Sequence, residues 1–281
     1  MNLSELNIYP VKSLGGISLK SSTVETRGLR YDRRWMLIDE KNEFLTQRNF
    51  PKMATVKLEV VENGLRASQA DERQLILFEP QNDETASIRI WGSRCRARVY
   101  ESAVNDWFEN VLQINCRLVL MPDETKRKVN YFYAVHKDDT VSFADAYPYL
   151  LIGENSLTEL NSKLEKSIPM NRFRPNITVS GSEAFAEDDW KKIKIGKVTF
   201  HVVKPCARCR VTTVDQQAGV FDGQEPLKTL ASYRTPKRSV KNKVLFGQYL
   251  IAENPGEILN VGDKIEVIEY QSKKRIFNIK L

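Results

Sequence analysis

The sequence predicts an α+β protein dominated by β-structure, with an N-terminal β-barrel-like domain followed by a second barrel domain carrying short helices. Three observations lead there. Period-two alternation punctuated by turn residues fills the first hundred residues. Helical periodicity is confined to short stretches. The 281 residues, at roughly 150 per domain, suggest two domains.

Taken in order, the opening strand leads into YPVKSLGGISL, where Gly15-Gly16 predicts a tight loop. DRRWMLIDEKNEFLTQR reads as a hairpin turning at Asp39 to Glu43. TVKLEVVENGLRAS places Asn63-Gly64 between two alternating segments, the strongest short hairpin signal. SIRIWGSRCRARVY continues the pattern with a break at Gly92 and Ser93. Val104, Trp107, Phe108, Val111 and Leu112 form one apolar stripe, predicting a helix over 104–112. Met121 to Lys128 is polar and charged, which puts the expected boundary near 120, with domains 1–120 and 121–281.

Beyond it, Ser156-Leu-Thr-Glu159 has the form of a capping box opening a helix with Leu157, Leu160 and Leu164 on one face. KVTFHVVK (197–204) alternates as a strand ending at Pro205, and RVTTVD (210–215) returns to β-favouring residues. PLKTLASYR (226–234) suits a short helix, and LFGQYLIAENPG with LNVGDKIEVIEY reads as strands around a Gly-Asp turn. No internal repeat or low-complexity segment is visible.

Composition narrows the function. A hydrophobic fraction of 41% with 28% charged residues is ordinary for a globular chain. No apolar run reaches the ~18 residues of a membrane span. MNLSELNIYPVKS lacks the basic and apolar regions of a signal peptide, so a cytoplasmic location is expected. There, Cys95, Cys116, Cys206 and Cys209 should be reduced. With only His136 and His201 present, a multi-histidine metal site is excluded. The net charge of +7 admits anionic partners. Nucleic acid is not expected among them, because no Cys/His finger, RNP-like aromatic motif or basic helix is present.

The most chemically loaded stretch is KPCARCRVTTVD. Cys206 and Cys209 lie among Lys204, Arg208 and Arg210, a cationic setting expected to favour thiolate. Four readings stand open. A redox dithiol normally sits at a helix start, whereas Val211 to Val214 favour a strand. Structural zinc needs four ligands, and there is one close pair. A single thiolate could bind a redox metal whose other ligands come from a cofactor. Two small buried residues in a loop is the plainest alternative. A phosphorylated cofactor would need rigidly held cations. The candidates are Lys12 and Ser13 beside the glycine pair, Arg33 and Arg34 in Y-D-R-R-W, and Arg172, Arg174 and Asn176 in N-R-F-R-P-N.

These segments form an ordered series: Y-P-V-K-S, D-R-x-W, N-x-F-R-P-N, P-C-A-R-C-x-x-T-T-V-D, P-L-x-T-L-x-S-Y-R and L-F-G-Q-Y. From about residue 5 to 268 the series resembles the MOSC proteins that carry an N-terminal MOSC β-barrel domain, above all the mitochondrial amidoxime-reducing component and its bacterial relatives. The resemblance implies a molybdenum–pyranopterin cofactor (Moco), with Cys206 as the one protein ligand to the metal. It places cofactor contacts on Lys12, Ser13, Arg33, Arg174 and Asn176. Asp145 matches the family's loop, while Ala144, Ala146 and Tyr147 depart from its small polar pattern. Asp215 is expected to support the cysteine loop.

The implied activity is a molybdenum-dependent oxidoreductase that reduces small N-hydroxylated compounds. The chain lacks the cysteine-rich ferredoxin domain fused to some relatives. A separate electron donor is therefore expected: a ferredoxin, a flavin reductase or a b-type haem protein. The alternative is a non-catalytic cofactor carrier, or a protein that handles sulfur as a Cys206 persulfide, since MOSC domains also end cofactor sulfurases.

Overall fold

The computed structural model describes residues 1–69, 74–236 and 243–271. Its largest sheet has eight strands in the order Ile17–Leu19, Asn2–Ile8, Ile177–Ser180, Tyr149–Gly153, Leu245–Ala252, Val198–Ala207, Trp190–Ile195 and Ile265–Tyr270. All neighbours are antiparallel except Tyr149–Gly153 beside Ile177–Ser180. Parallel neighbours need a crossover. The crossover here contains the helix Glu154–Asn161.

The sheet curls until its ends meet. Leu3 N–H donates to Asp263 O (2.9 Å), and Ile265 N–H donates to Met1 O (2.9 Å). Leu3, Leu6 and Ile8 of the first strand thereby join Val179, Trp190, Phe200 and Ile265 in one buried cluster. Strands from both sides of residue 120 thus share one sheet and one core.

Ser21–Glu25 pairs with Gly28–Leu29 and with Ile258–Asn260 of the second half, and the other N-terminal strands build two smaller sheets. One orders Trp35–Ile38, Arg117–Leu120, Ser93–Val99 and Thr85–Ile90; the other orders Lys57–Val61, Gly64–Ser68 and Leu75–Leu77. The helix Ser102–Leu112 buries Phe108, Val111 and Leu112 against Leu118, Leu65 and Leu77. This is the apolar stripe read from the sequence. A third helix covers Leu227–Tyr233. Among the described residues no helix is long and apolar enough to cross a membrane.

Local expectations fared unevenly. Asn63 turns the predicted hairpin with φ +59°, and Asp39 accepts the N–H groups of Lys41 and Glu43 (2.9 Å each) in the other. The glycine pair is needed for close approach. A Cβ on Gly15 would lie 2.6 Å from Val56 O, and one on Gly16 would lie 2.6 Å from the Tyr9 ring. The capping box is not formed. Gly153 is the N-cap of the helix Glu154–Asn161, and Ser156 is buried inside it. Its hydroxyl donates to the buried carboxylate of Glu187 (2.8 Å) and accepts the Phe185 N–H (2.8 Å).

The strand expected to stop at Pro205 continues to Ala207. A proline is tolerated there because pairing with Leu245–Ala252 is irregular between Pro205 and Ala207. Arg210–Thr213 forms a 3-10 turn where strand was expected. The hydroxyls of Thr212 and Thr213 donate to Cys209 O (3.0 Å) and Arg210 O (2.9 Å), local bonds that compete with a ladder.

Candidate functional site

Two register shifts, at Val202/Lys204 and Pro205/Ala207, deform the strand carrying Cys206. Bulges of this kind re-aim side chains. Gly247 of the neighbouring strand adopts φ +77°, and a Cβ there would lie 2.8 Å from Leu151 O. Between these distortions Cys206 is buried and lines a narrow cleft of about 120 Å3. Lys12, Ser13, Arg33, Asp145, Arg174 and Asn176 line the same cleft. Arg174 also borders a wider cleft of about 430 Å3.

One wall is an ion cluster. Lys12 Nζ donates to Phe143 O (2.8 Å) and pairs with Asp145, which also accepts Arg48 Nη2 (2.9 Å) and the Trp91 indole N–H (3.3 Å). Burial outweighs the attraction of Asp145 and pushes the Lys12 ammonium down to about 8. Burial works to raise the Asp145 carboxyl, but Lys12 and Arg48 hold it well below the usual carboxylate range. Arg127 Nη1 donates to Ser142 O (2.8 Å) and Ala144 O (2.6 Å), fixing the loop that carries Asp145.

The opposite wall is a stack. The guanidinium groups of Arg33 and Arg174 both pack on the Tyr9 ring, 4.4 and 4.1 Å from its centroid. Arg33 Nη1 donates to both oxygens of the fully buried Asp32 (2.8 and 2.6 Å) and to Asn176 Oδ1 (3.2 Å). Asn176 Oδ1 also accepts the Leu150 N–H (3.2 Å), and its amide donates to Asn7 O (3.1 Å). Asn176 therefore ties three strands together at the cleft floor. Ser13, Arg33 and Arg174 have φ of +68°, +49° and +56°. Such backbone costs of order 1 kcal/mol per residue and concentrates at functional sites.

Three cleft arginines have unused donors. Arg172 Nε, Arg174 Nη2 and Arg208 Nη2 are buried with no hydrogen-bond partner. A buried donor left unsatisfied costs about 1–3 kcal/mol, so these N–H groups suit an anionic ligand. A thiol among cationic donors fits a phosphorylated, thiolate-ligated cofactor.

One expectation needs correction. Burial pushes the Cys206 thiol up and outweighs the opposing pull of Arg208 and a Tyr249 hydrogen bond. Lys204 instead packs over Tyr133 (4.4 Å) and Arg210 over Phe221 (3.6 Å). Asp215 lies outside the lining of the cleft that holds Cys206. Its carboxylate accepts the Gln217 and Ala218 N–H groups (2.9 Å each) and lies 3.4 Å from Arg172 Nη2.

Among other cleft residues, Arg208 stood in the cationic setting read around the cysteines, while Tyr249 and Arg48 were not singled out as site residues. Tyr249 bonds the thiol, Arg48 contacts Cys209 and Asp145, and Arg208 donates to Phe246 O (2.7 Å) and Phe173 O (3.0 Å). Only L-F-G-Q-Y, part of the ordered series, marked Tyr249. Nothing local distinguished Arg48 from the other arginines.

Two domain models account for this architecture: a MOSC N-terminal beta barrel domain over residues 1–115 and a MOSC domain over 138–266. The chain is 36% identical over 279 residues to mitochondrial amidoxime-reducing component 1 of Mus musculus, and 34% identical to the Homo sapiens protein. Each comparison covers 95% of this chain and 82% of the relative. The chain belongs to the MOSC family, in the arrangement with an N-terminal MOSC barrel and in the company of the amidoxime-reducing components. It is also 35% identical to molybdenum cofactor sulfurase of Oryza sativa subsp. japonica, over 90% of this chain and 33% of that protein.

Proposed function

We propose that this protein is a molybdenum-cofactor-dependent reductase of small N-hydroxylated compounds, with Cys206 as the only protein ligand to the metal. The observation carrying this reading is the convergence of Cys206 with Lys12, Ser13, Arg33, Asp145, Arg174 and Asn176 on one cleft, where buried guanidinium donors await an acceptor. The names of the relatives, amidoxime-reducing component and molybdenum cofactor sulfurase, supply the chemical class.

When bound, the molybdenum–pyranopterin would supply the two-electron chemistry that removes oxygen from nitrogen. The chain's own residues bind and orient. Arg174 and Arg208 offer their free N–H groups to the cofactor's anionic part, and Ser13 presents strained backbone beside them. Lys12 is already paired with Asp145, so its part is to hold that loop and balance charge. Asn176 and Arg33 keep the floor rigid through their mutual bond. Cys206 must give up its thiol proton on ligation, which Arg208 and the Tyr249 hydrogen bond favour against the cost of burial.

The resemblance further suggests a separate ferredoxin, flavin reductase or b-type haem protein as electron donor. We divide the chain functionally at about residue 120, with the metal ligand in the second unit and part of the cofactor cradle in the first.

Elemental analysis tests the ligand. Protein from a host competent in cofactor synthesis should contain molybdenum as wild type and as Cys209→Ala, and lose it as Cys206→Ala. Zinc or no metal in the wild type, with the host's other molybdoenzymes loaded, would sink the proposal. Reduction of an amidoxime with an artificial electron donor then separates a reductase from a cofactor carrier.

A further inference from the structure

We propose that Trp91 forms the aromatic wall of the substrate entrance and gives the enzyme a preference for N-hydroxylated groups attached to a planar aryl body. This rests on the reductase reading and adds the substrate class.

Trp91 lies at the tip of the hairpin joining Thr85–Ile90 to Ser93–Val99, with Ile90 facing Ser93 across the turn. The two turn residues are therefore Trp91 and Gly92, one position earlier than the sequence break suggested. Trp91 adopts φ +52°. Two-residue hairpin turns at positive φ favour asparagine, aspartate or glycine, and a bulky residue there costs roughly 1–2 kcal/mol. Nothing in the turn itself calls for an indole.

What holds Trp91 is the cleft. Its indole N–H donates to Asp145 Oδ1 (3.3 Å), and Arg48 packs 4.8 Å from its ring centroid while bonding Asp145 Oδ2 (2.9 Å). Phe44 meets it at 5.3 Å with the rings tilted by 57°, and Lys12 Nζ lies 5.4 Å from the Phe44 ring. Asp145, Arg48 and Lys12 all line the cleft with Cys206. Despite these contacts, Trp91 is 48% exposed. An indole anchored by its N–H at a cleft wall, with half its surface open, offers a flat apolar face beside polar groups. A planar aryl group can stack on that face while its polar N-hydroxy end enters the cleft.

The test compares benzamidoxime with acetamidoxime, which has a methyl group in place of the ring. We expect the wild type to have the higher kcat/KM for benzamidoxime, and Trp91→Ala to reduce that preference roughly tenfold. Trp91→Phe, which keeps a ring but loses the N–H, should retain most of it. Calorimetry on the molybdenum-loaded protein without electron donor measures benzamidoxime affinity free of turnover, and should show a similar loss for Trp91→Ala. An unchanged substrate ratio in a folded Trp91→Ala protein overturns the inference, as does equal loss of the ratio in Trp91→Phe. Neither result touches the reductase reading, which fails instead if the wild type reduces neither compound.

Discussion

At the residue scale, the cleft depends on side chains that restrain one another. Tyr9 packs against the guanidinium groups of both Arg33 and Arg174 while bonding Pro175 O through its hydroxyl (3.2 Å). Burial pushes its phenol up to about 12, so it stays protonated across the working range. Replacing Tyr9 with leucine removes the ring on which Arg33 and Arg174 both pack. We expect a loss of about 2–4 kcal/mol in urea unfolding, against about 1 kcal/mol for Tyr9→Phe, which deletes only the hydroxyl. Equal losses for the two variants would show that the stacked ring contributes little. Tyr9 was not singled out as a site residue because its contacts with Arg33 and Arg174 join segments far apart in sequence. Cys206 was legible as a ligand candidate, but its proton affinity was not: burial and the orientations of Lys204 and Arg210 are tertiary facts.

At the element scale, irregular pairing aims the cysteine. The strands Val198–Ala207 and Leu245–Ala252 pair through two register shifts, and Gly247 occupies a conformation that disfavours any Cβ. A methyl group at 247 would lie 2.6 Å from Ile152 Cγ1 and 2.8 Å from Leu151 O. Gly247→Ala should therefore destabilise the protein by roughly 2–4 kcal/mol, from backbone strain and overpacking together. It should also lower molybdenum content, because the distorted pair positions Cys206. Full stability and metal loading in that variant would refute the account. The hairpin at Asn63 was readable because asparagine and glycine act locally. The helix around Ser156 was misread at its start because Glu187, 31 residues away, captures the serine hydroxyl.

At the scale of the whole molecule, the first strand closes the barrel formed by the second half. Asn2–Ile8 pairs with Ile177–Ser180 on one side and reaches Asp263 and Ile265 through its first residues. A fragment spanning 121–281 lacks that strand and exposes the core cluster that Leu3, Leu6 and Ile8 complete. We expect circular dichroism to show no cooperative thermal unfolding of this fragment, and a fusion restoring residues 1–20 through a flexible linker to recover it. A cooperative transition in the fragment alone would show that the second half closes without the first strand.

The sequence by itself determined the β-dominated class, the apolar helix over 104–112, the hairpin at Asn63 and the series of motifs resembling the MOSC family. Each depends on periodicity, turn chemistry or ordered spacing, all properties of the linear chain. Tertiary structure alone decided that the first strand serves the second barrel and that Lys12 is held by Asp145. It also decided that Trp91 bonds the cleft residue Asp145 and that Asp215 lies outside the cleft lining. These depend on which distant segments meet and on the burial that follows, and burial sets both charge and access.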